Sequence, residues 1–256
     1  MTEETELGRR VVVVSPHLDD AVLSLGATIA RAGRTGSAVS VVTVFAGDPS
    51  STAPADEWAR RCGFTTAGEG YRARREEDRH ALGLLRARPV WLPFDGDAPD
   101  EAVLDRLRSE LRHADDVLVP GSPCSQSEHA RVASLVVSNP PAGRLGLYVD
   151  QPYAMWRLLS RRPRLGTRRS VNLMRLLVRS RSVRHLQQPQ IPAELLPLLG
   201  RVRWHVVSRS LPEWQKKLRA VYRYRSQVRG FGPITVPGIA IYEASVGGEM
   251  IGRVER

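Results

Sequence analysis

The first half of the chain alternates short β-branched runs with segments of helical period. Val11–Val14 is a continuous apolar run of the kind that fills a strand buried on both faces. From about Asp20 to Ala32, Val22, Leu25 and Ile29 recur at i, i+3 and i+7, which is one face of a helix. Val39–Phe45 predicts a second strand, Arg74–Leu85 a helix and Val90–Phe94 a third strand. Over Glu101–Arg112 a helical face collects Val103, Leu104, Leu107 and Leu111. A strand end at Val117–Pro120, a helix over Glu128–Val137 and a strand at Leu145–Val149 follow, and the run Ile239–Glu243 predicts one more strand.

Strands alternating with helices build βαβ units. The expected fold class is therefore α/β, with a Rossmann-like, doubly wound and mostly parallel sheet. A length of 256 residues suits a single domain spanning 1–256. In such sheets ligands bind beyond the C-terminal ends of the strands, where loops lead into helices. The loops after Val14 and Pro120 are the places to look for chemistry, and both carry it.

In VVVVSPHLDDAVLSLG a strand runs into a proline-stiffened turn, and His-x-Asp-Asp opens a helix. His17 and Asp20, three apart at the edge of one turn, can both point into the crevice. A neutral imidazole and a carboxylate suit zinc or another divalent transition metal. Asp19 then remains free as a proton acceptor. Aspartates also cap helices and favour the N-terminal dipole, so the motif gains its weight from lying at the end of the first strand. No Gly-x-Gly-x-x-Gly accompanies it, which argues against a dinucleotide cofactor.

The second loop, in VLVPGSPCSQSEHARVASLVV, ends at a helix start with His129 in its first turn. His17, Asp20 and His129 together make two imidazoles and one carboxylate with a position left open for water. That is the ligand set of a catalytic metal site, not of a closed structural one.

Composition narrows the class further. The formal net charge is +11, nearly all of it arginine, since Lys216 and Lys217 are the only lysines. Arginine is densest in RLLSRRPRLGTRRSVNLMRLLVRSRSVRH, which predicts an insertion or lid over 157–190 within the domain. That segment is poor in aromatics and fits no nucleic-acid module, while contact with a membrane surface or an anionic ligand stays open. No apolar stretch is long enough to span a bilayer, and MTEETELGRR does not read as a signal peptide. With only Cys62 and Cys124 there is no disulfide framework, and a cytoplasmic enzyme is expected.

Ser-Pro-His-Leu-Asp-Asp after a hydrophobic strand resembles the signature of the PIG-L or LmbE-like N-acetylglucosaminyl deacetylases. Arg74, Glu77 and Asp78 in RREEDRHALGLL resemble the family's Arg-x-x-Glu helix, and Asp95 in VWLPFDGD its downstream aspartate. QSEHARV falls where the family carries His-Pro-Asp-His. YVDQPYA, holding Asp150 and Tyr153, and KLRAVYRYRSQ are similar to segments of members that act on glycosylated natural products.

The resemblance implies a zinc ion, or another divalent metal such as iron, held by His17, Asp20 and His129, with Asp19 as general base. It implies Gln126 as a catalytic contact and Arg74, Asp95, Asp150 and Tyr153 as substrate contacts. The expected substrate is an N-acetyl amino sugar or glycoconjugate, with room for an anionic one. Two departures from the family pattern involve three positions. Ala21 stands where a glutamate often follows the paired aspartates, and Gln126 replaces the first histidine, with Glu128 in place of the aspartate. Gln126 can donate a hydrogen bond but cannot serve as a general acid. Three other readings stay open: hydrolysis of a different amide, a non-catalytic basic binding protein, and an iron oxygenase triad of His17, Asp19 and His129.

Overall fold

The computed structural model describes residues 6–160, 189, 191–193, 195–208 and 210–255. Strand β1 (Arg10–Ser15) lies inside the sheet because its four valines leave no face for water. Val11 and Val13 enter one core while Val12 and Val14 enter the other, as the period of two requires. Burying each such side chain contributes roughly 1.5–3 kcal/mol.

Seven strands among the described residues form one sheet in the order β3-β2-β1-β4-β5-β7-β6. The first five, β1, β2 (Ala38–Thr43), β3 (Ala87–Trp91), β4 (Asp116–Ser122) and β5 (Arg144–Val149), run parallel. Register is set by pairs such as Val11 with Val39 and Val11 with Asp116. β7 (Glu249–Glu255) runs antiparallel to both β5 and β6 (Arg201–Ser208). Helices cover both faces. α1 (Asp20–Arg34), α3 (Ala67–Leu85) and α8 (Leu211–Val221) pack on one, through Val22, Leu25, Ile29, Leu82, Leu85, Ala220 and Val221. α4 (Asp100–Leu111) and α5 (Ser127–Ser138) cover the other through Val103, Leu107, Val132 and Val136. The chain is a single α/β domain of mixed sheet and flanking helices, as the alternation predicts.

The remaining helices are α2 (Glu57–Cys62), α6 (Tyr153–Ser160), α7 (Leu196–Leu199), α9 (Arg225–Phe231) and α10 (Thr235–Val246). The last corrects an expectation, since Ile239–Glu243 is helical and not a strand. Its buried residues Thr235, Val236, Ile239, Tyr242 and Glu243 fall at helical spacing over twelve residues, which a five-residue window cannot show. Pro237 is tolerated because it sits in the first turn, and Gly247 at φ 94° ends the helix. Most of the 157–190 insertion lies outside the described residues. No helix among the described residues is long and apolar enough to cross a membrane.

β1 and β4 are neighbours in the sheet, and the loops that leave them lead toward opposite faces. This is the point where the winding reverses, and a crevice opens there.

Candidate metal centre

Ser15, the last residue of β1, shapes the loop that follows. Its hydroxyl donates to the carbonyl of His17 at 2.7 Å and accepts from the amide of Ala21 at 3.0 Å. The amide of His17 donates to Asp20 Oδ2 at 2.8 Å, so the His-x-x-Asp turn closes on itself. Asp19 pays for the tight bend with φ 141°, a region that non-glycine residues seldom occupy. Such strain persists where the surroundings over-determine it, commonly at functional sites.

The structure brings the three expected ligands together. His17 Nδ1 lies 3.2 Å from His129 Nε2, and Asp20 Oδ2 lies 3.3 Å from each. Ligand atoms at about 2.0–2.2 Å from a tetrahedral metal stand roughly 3.4 Å apart, so the spacing fits a zinc-sized ion. The chemistry fits as well. The far nitrogen of each histidine meets a carboxylate, Glu128 Oε2 for His17 Nε2 and Asp150 Oδ2 for His129 Nδ1, both at 2.8 Å. With protons on those outer nitrogens, three lone-pair atoms face one another and a cation suits the space between them. The oxygenase set does not converge in the same way, because Asp20 and not Asp19 completes the group.

The surrounding negative charge shifts the titrations. Burial lowers the pKa of His17, but hydrogen bonds to Asp20 and Glu128, and their charges, outweigh it and raise it to about 10. His129 is raised against burial in the same way by Asp150 and Asp20. Asp20 is lowered despite burial, chiefly by the two histidines. Asp19 goes well above the carboxylate range, from burial first and then the charge of Asp20.

A cavity of about 530 Å³ opens over this group, lined by His17, Asp19 and Asp20 together with Arg74, Asp95, Gln126 and Tyr153. Asp19 is buried, and its Oδ2 has no hydrogen-bond partner. Arg74 is buried, donates through Nε to the carbonyl of Gly70 and lies over the Tyr71 ring. Asp150 is placed differently from the expectation of a substrate contact: it is fully buried behind His129. Glu77 and Asp78 serve the fold. Glu77 accepts from the amide and hydroxyl of Ser226, and Asp78 accepts from Trp91 Nε1 and Tyr224 Oη.

Sequence reasoning named Tyr153 but missed the aromatic wall to which it belongs. Trp58, Phe231, Trp156 and Tyr153 form a chain of ring contacts at 4.9–5.7 Å that ends on His129. Gln227 accepts from Trp58 Nε1 and donates to the carbonyl of Leu18, tying that wall to the metal loop. These residues come from α2, α6 and α9, and no spacing along the chain links the three helices.

Residues 12–139, half of the chain, match the family described as PIG-L: GlcNAc-PI de-N-acetylase. No curated protein matches the sequence. Among solved structures, the A40926 pseudoaglycone deacetylase Dbv21 superposes with a TM-score of 0.69 at 23% identity, over 97% of this chain and 98% of that one. The zinc-inhibited form of teicoplanin deacetylase Orf2 gives 0.68 at 23% identity, over 96% and 98%. The N,N'-diacetylchitobiose deacetylase of Pyrococcus horikoshii, complexed with its inhibitor MPG, gives 0.56 at 17% identity, over 97% and 83%. At these identities the likeness is one of fold.

Proposed function

The chain belongs to the PIG-L family, and from that premise we propose that it is a metal-dependent N-deacetylase acting on an N-acetylglucosamine-type sugar. The observation that carries the reading is the convergence of His17, Asp20 and His129 beneath the cavity, beside the unpartnered carboxylate oxygen of Asp19. A divalent metal held there, zinc or iron by the donor set, would polarise the acetyl carbonyl and lower the pKa of water.

Asp19 takes a proton from the attacking water as it adds to the acetyl carbon. The tetrahedral oxyanion meets Gln126 as a hydrogen-bond donor on the cavity wall. As the C–N bond breaks, Asp19 returns the proton to the nitrogen, giving acetate and a free amine. Asp19 thus serves as base and then acid, which suits a site where glutamine occupies position 126. Arg74, Asp95 and Tyr153 line the cavity as contacts for the sugar. The aromatic wall suits the apolar face of a sugar ring or of a glycosylated natural product, and the structurally similar proteins named for A40926 pseudoaglycone and teicoplanin favour the latter. The cationic Arg61 and Arg74 leave room for an anionic substrate.

The test is metal content and acetate release from N-acetylglucosaminyl compounds, for wild type, His17→Ala and Asp19→Asn. One metal per chain, lost in His17→Ala, is expected. Asp19→Asn should keep the metal and lose at least about a hundredfold in turnover. Full turnover in Asp19→Asn would remove it from the mechanism.

A further inference from the structure

Three lone pairs face one another only if each histidine carries its proton on the outer side of the ring. A neutral imidazole has one N–H, and the group facing each nitrogen decides where it sits. A carboxylate accepts and does not donate, and the outer carboxylates at 2.8 Å are closer than Asp20 Oδ2 at 3.3 Å on the inner nitrogens, so Glu128 holds the N–H at His17 Nε2, as Asp150 holds it at His129 Nδ1.

The two carboxylates differ in setting. Asp150 is 0% exposed and sealed behind its histidine, whereas the Glu128 side chain is 33% exposed and forms part of the cavity wall. Glu128 also depends on a missing side chain. A Cβ added at Gly96 would collide with Glu128 Oε1, so the glycine leaves the space that the carboxylate occupies. Glu128 is thus held between Gly96 and His17.

We infer that Glu128 is a positioning residue for the metal centre: it accepts the outer N–H of His17 and so turns the Nδ1 lone pair onto the ion, the cavity-side counterpart of Asp150 behind His129. This rests on the metal reading above and adds a residue to it. Partners of this kind fix ring orientation and raise ligand basicity, and their loss typically weakens metal affinity about 10–100-fold.

The experiment measures zinc affinity by competition with a chromophoric chelator, and the visible spectrum of the cobalt(II)-loaded protein. It compares wild type with His17→Ala, Glu128→Ala, Glu128→Gln and Gly96→Ala. Glu128→Ala should bind zinc about 10–100-fold more weakly and shift the cobalt spectrum. Glu128→Gln, whose amide oxygen still accepts an N–H, should recover most of the loss. Gly96→Ala should fall between them, because it displaces the carboxylate without removing it. A merely structural role for Glu128 would lower stability but leave the affinity and spectrum of the folded protein unchanged. Wild-type affinity in both Glu128→Ala and Gly96→Ala, with metal lost in His17→Ala, overturns the inference alone. No zinc or cobalt bound by the wild type overturns the metal reading, and the inference with it.

Discussion

Two clusters of buried charge touch α1, one at its first turn and one at its middle, and they are neutralised in different ways. At the middle, Leu25 leaves helical geometry (φ −129°, ψ 18°) and the amides beyond the break need acceptors. Glu249 of β7 supplies them, taking the amides of Ala27 at 2.9 Å and Thr28 at 2.6 Å. Lys217 of α8 reaches Glu249 at 2.8 Å and also bonds Glu243, and its stem lies where a Cβ on Gly26 would fall. Here the chain brings its own ammonium. At the first turn, Asp20 and Asp150 are bonded to imidazoles, and once the ring protons sit on the outer nitrogens the innermost atoms of the group are all acceptors. A buried cluster that includes its own cation is complete on folding. One whose acceptors face one another suits an ion from outside.

The most severe way to break the cluster at the middle of α1 is Lys217→Met, which preserves the packing against Gly26 but leaves two buried carboxylates without their ammonium. Denaturant unfolding should show a loss of about 3–5 kcal/mol. The open cluster should respond in the opposite sense. Thermal melts of wild type with zinc at about 100 times its Kd should show roughly 2.7 kcal/mol of added stability. His17→Ala should fold as well as the metal-free wild type yet gain nothing from zinc, and an equal gain in both would place the metal elsewhere.

Asp78 sharpens the contrast, being a buried carboxylate that has neither a cation nor a gap for one. Burial pushes it up to about 6, even though Trp91 and Tyr224 donate to it. The folded state therefore holds the proton more tightly than the unfolded chain. This contribution is fully present below about pH 3.8 and is lost as pH rises through about 6, up to about 3 kcal/mol in all. Asp78→Asn should flatten the stability profile across that window, and an unchanged slope would assign it to other groups. The smallest effect is expected from Thr28→Val, which removes one hydroxyl bond to Glu249 and should cost about 1 kcal/mol in unfolding free energy.

Much of the fold and the centre of the site could be read along the chain, for a physical reason. Val11–Val14, the Val22, Leu25 and Ile29 face, and Val103 with Leu107 and Leu111 follow local periods that burial imposes on strands and helices. His17 and Asp20 share one turn, so their convergence is a local matter too. His129 was legible because loops at the strand ends of a parallel sheet meet over the reversal point. What lies outside that logic was decided in three dimensions. Ile239–Glu243 has β-branched content, yet its burial period is helical across a longer span. Asp150 looked like a substrate contact and instead backs His129, because a strand end cannot reveal which way its side chain is sealed. Trp58, Trp156, Gln227 and Phe231 meet only through packing of α2, α6 and α9, and Glu128 gained its partner from a loop 111 residues away. By itself the sequence determined which residues could bind a metal. Tertiary structure decided which lone pairs face inward, because that depends on groups behind the histidines that no local period encodes.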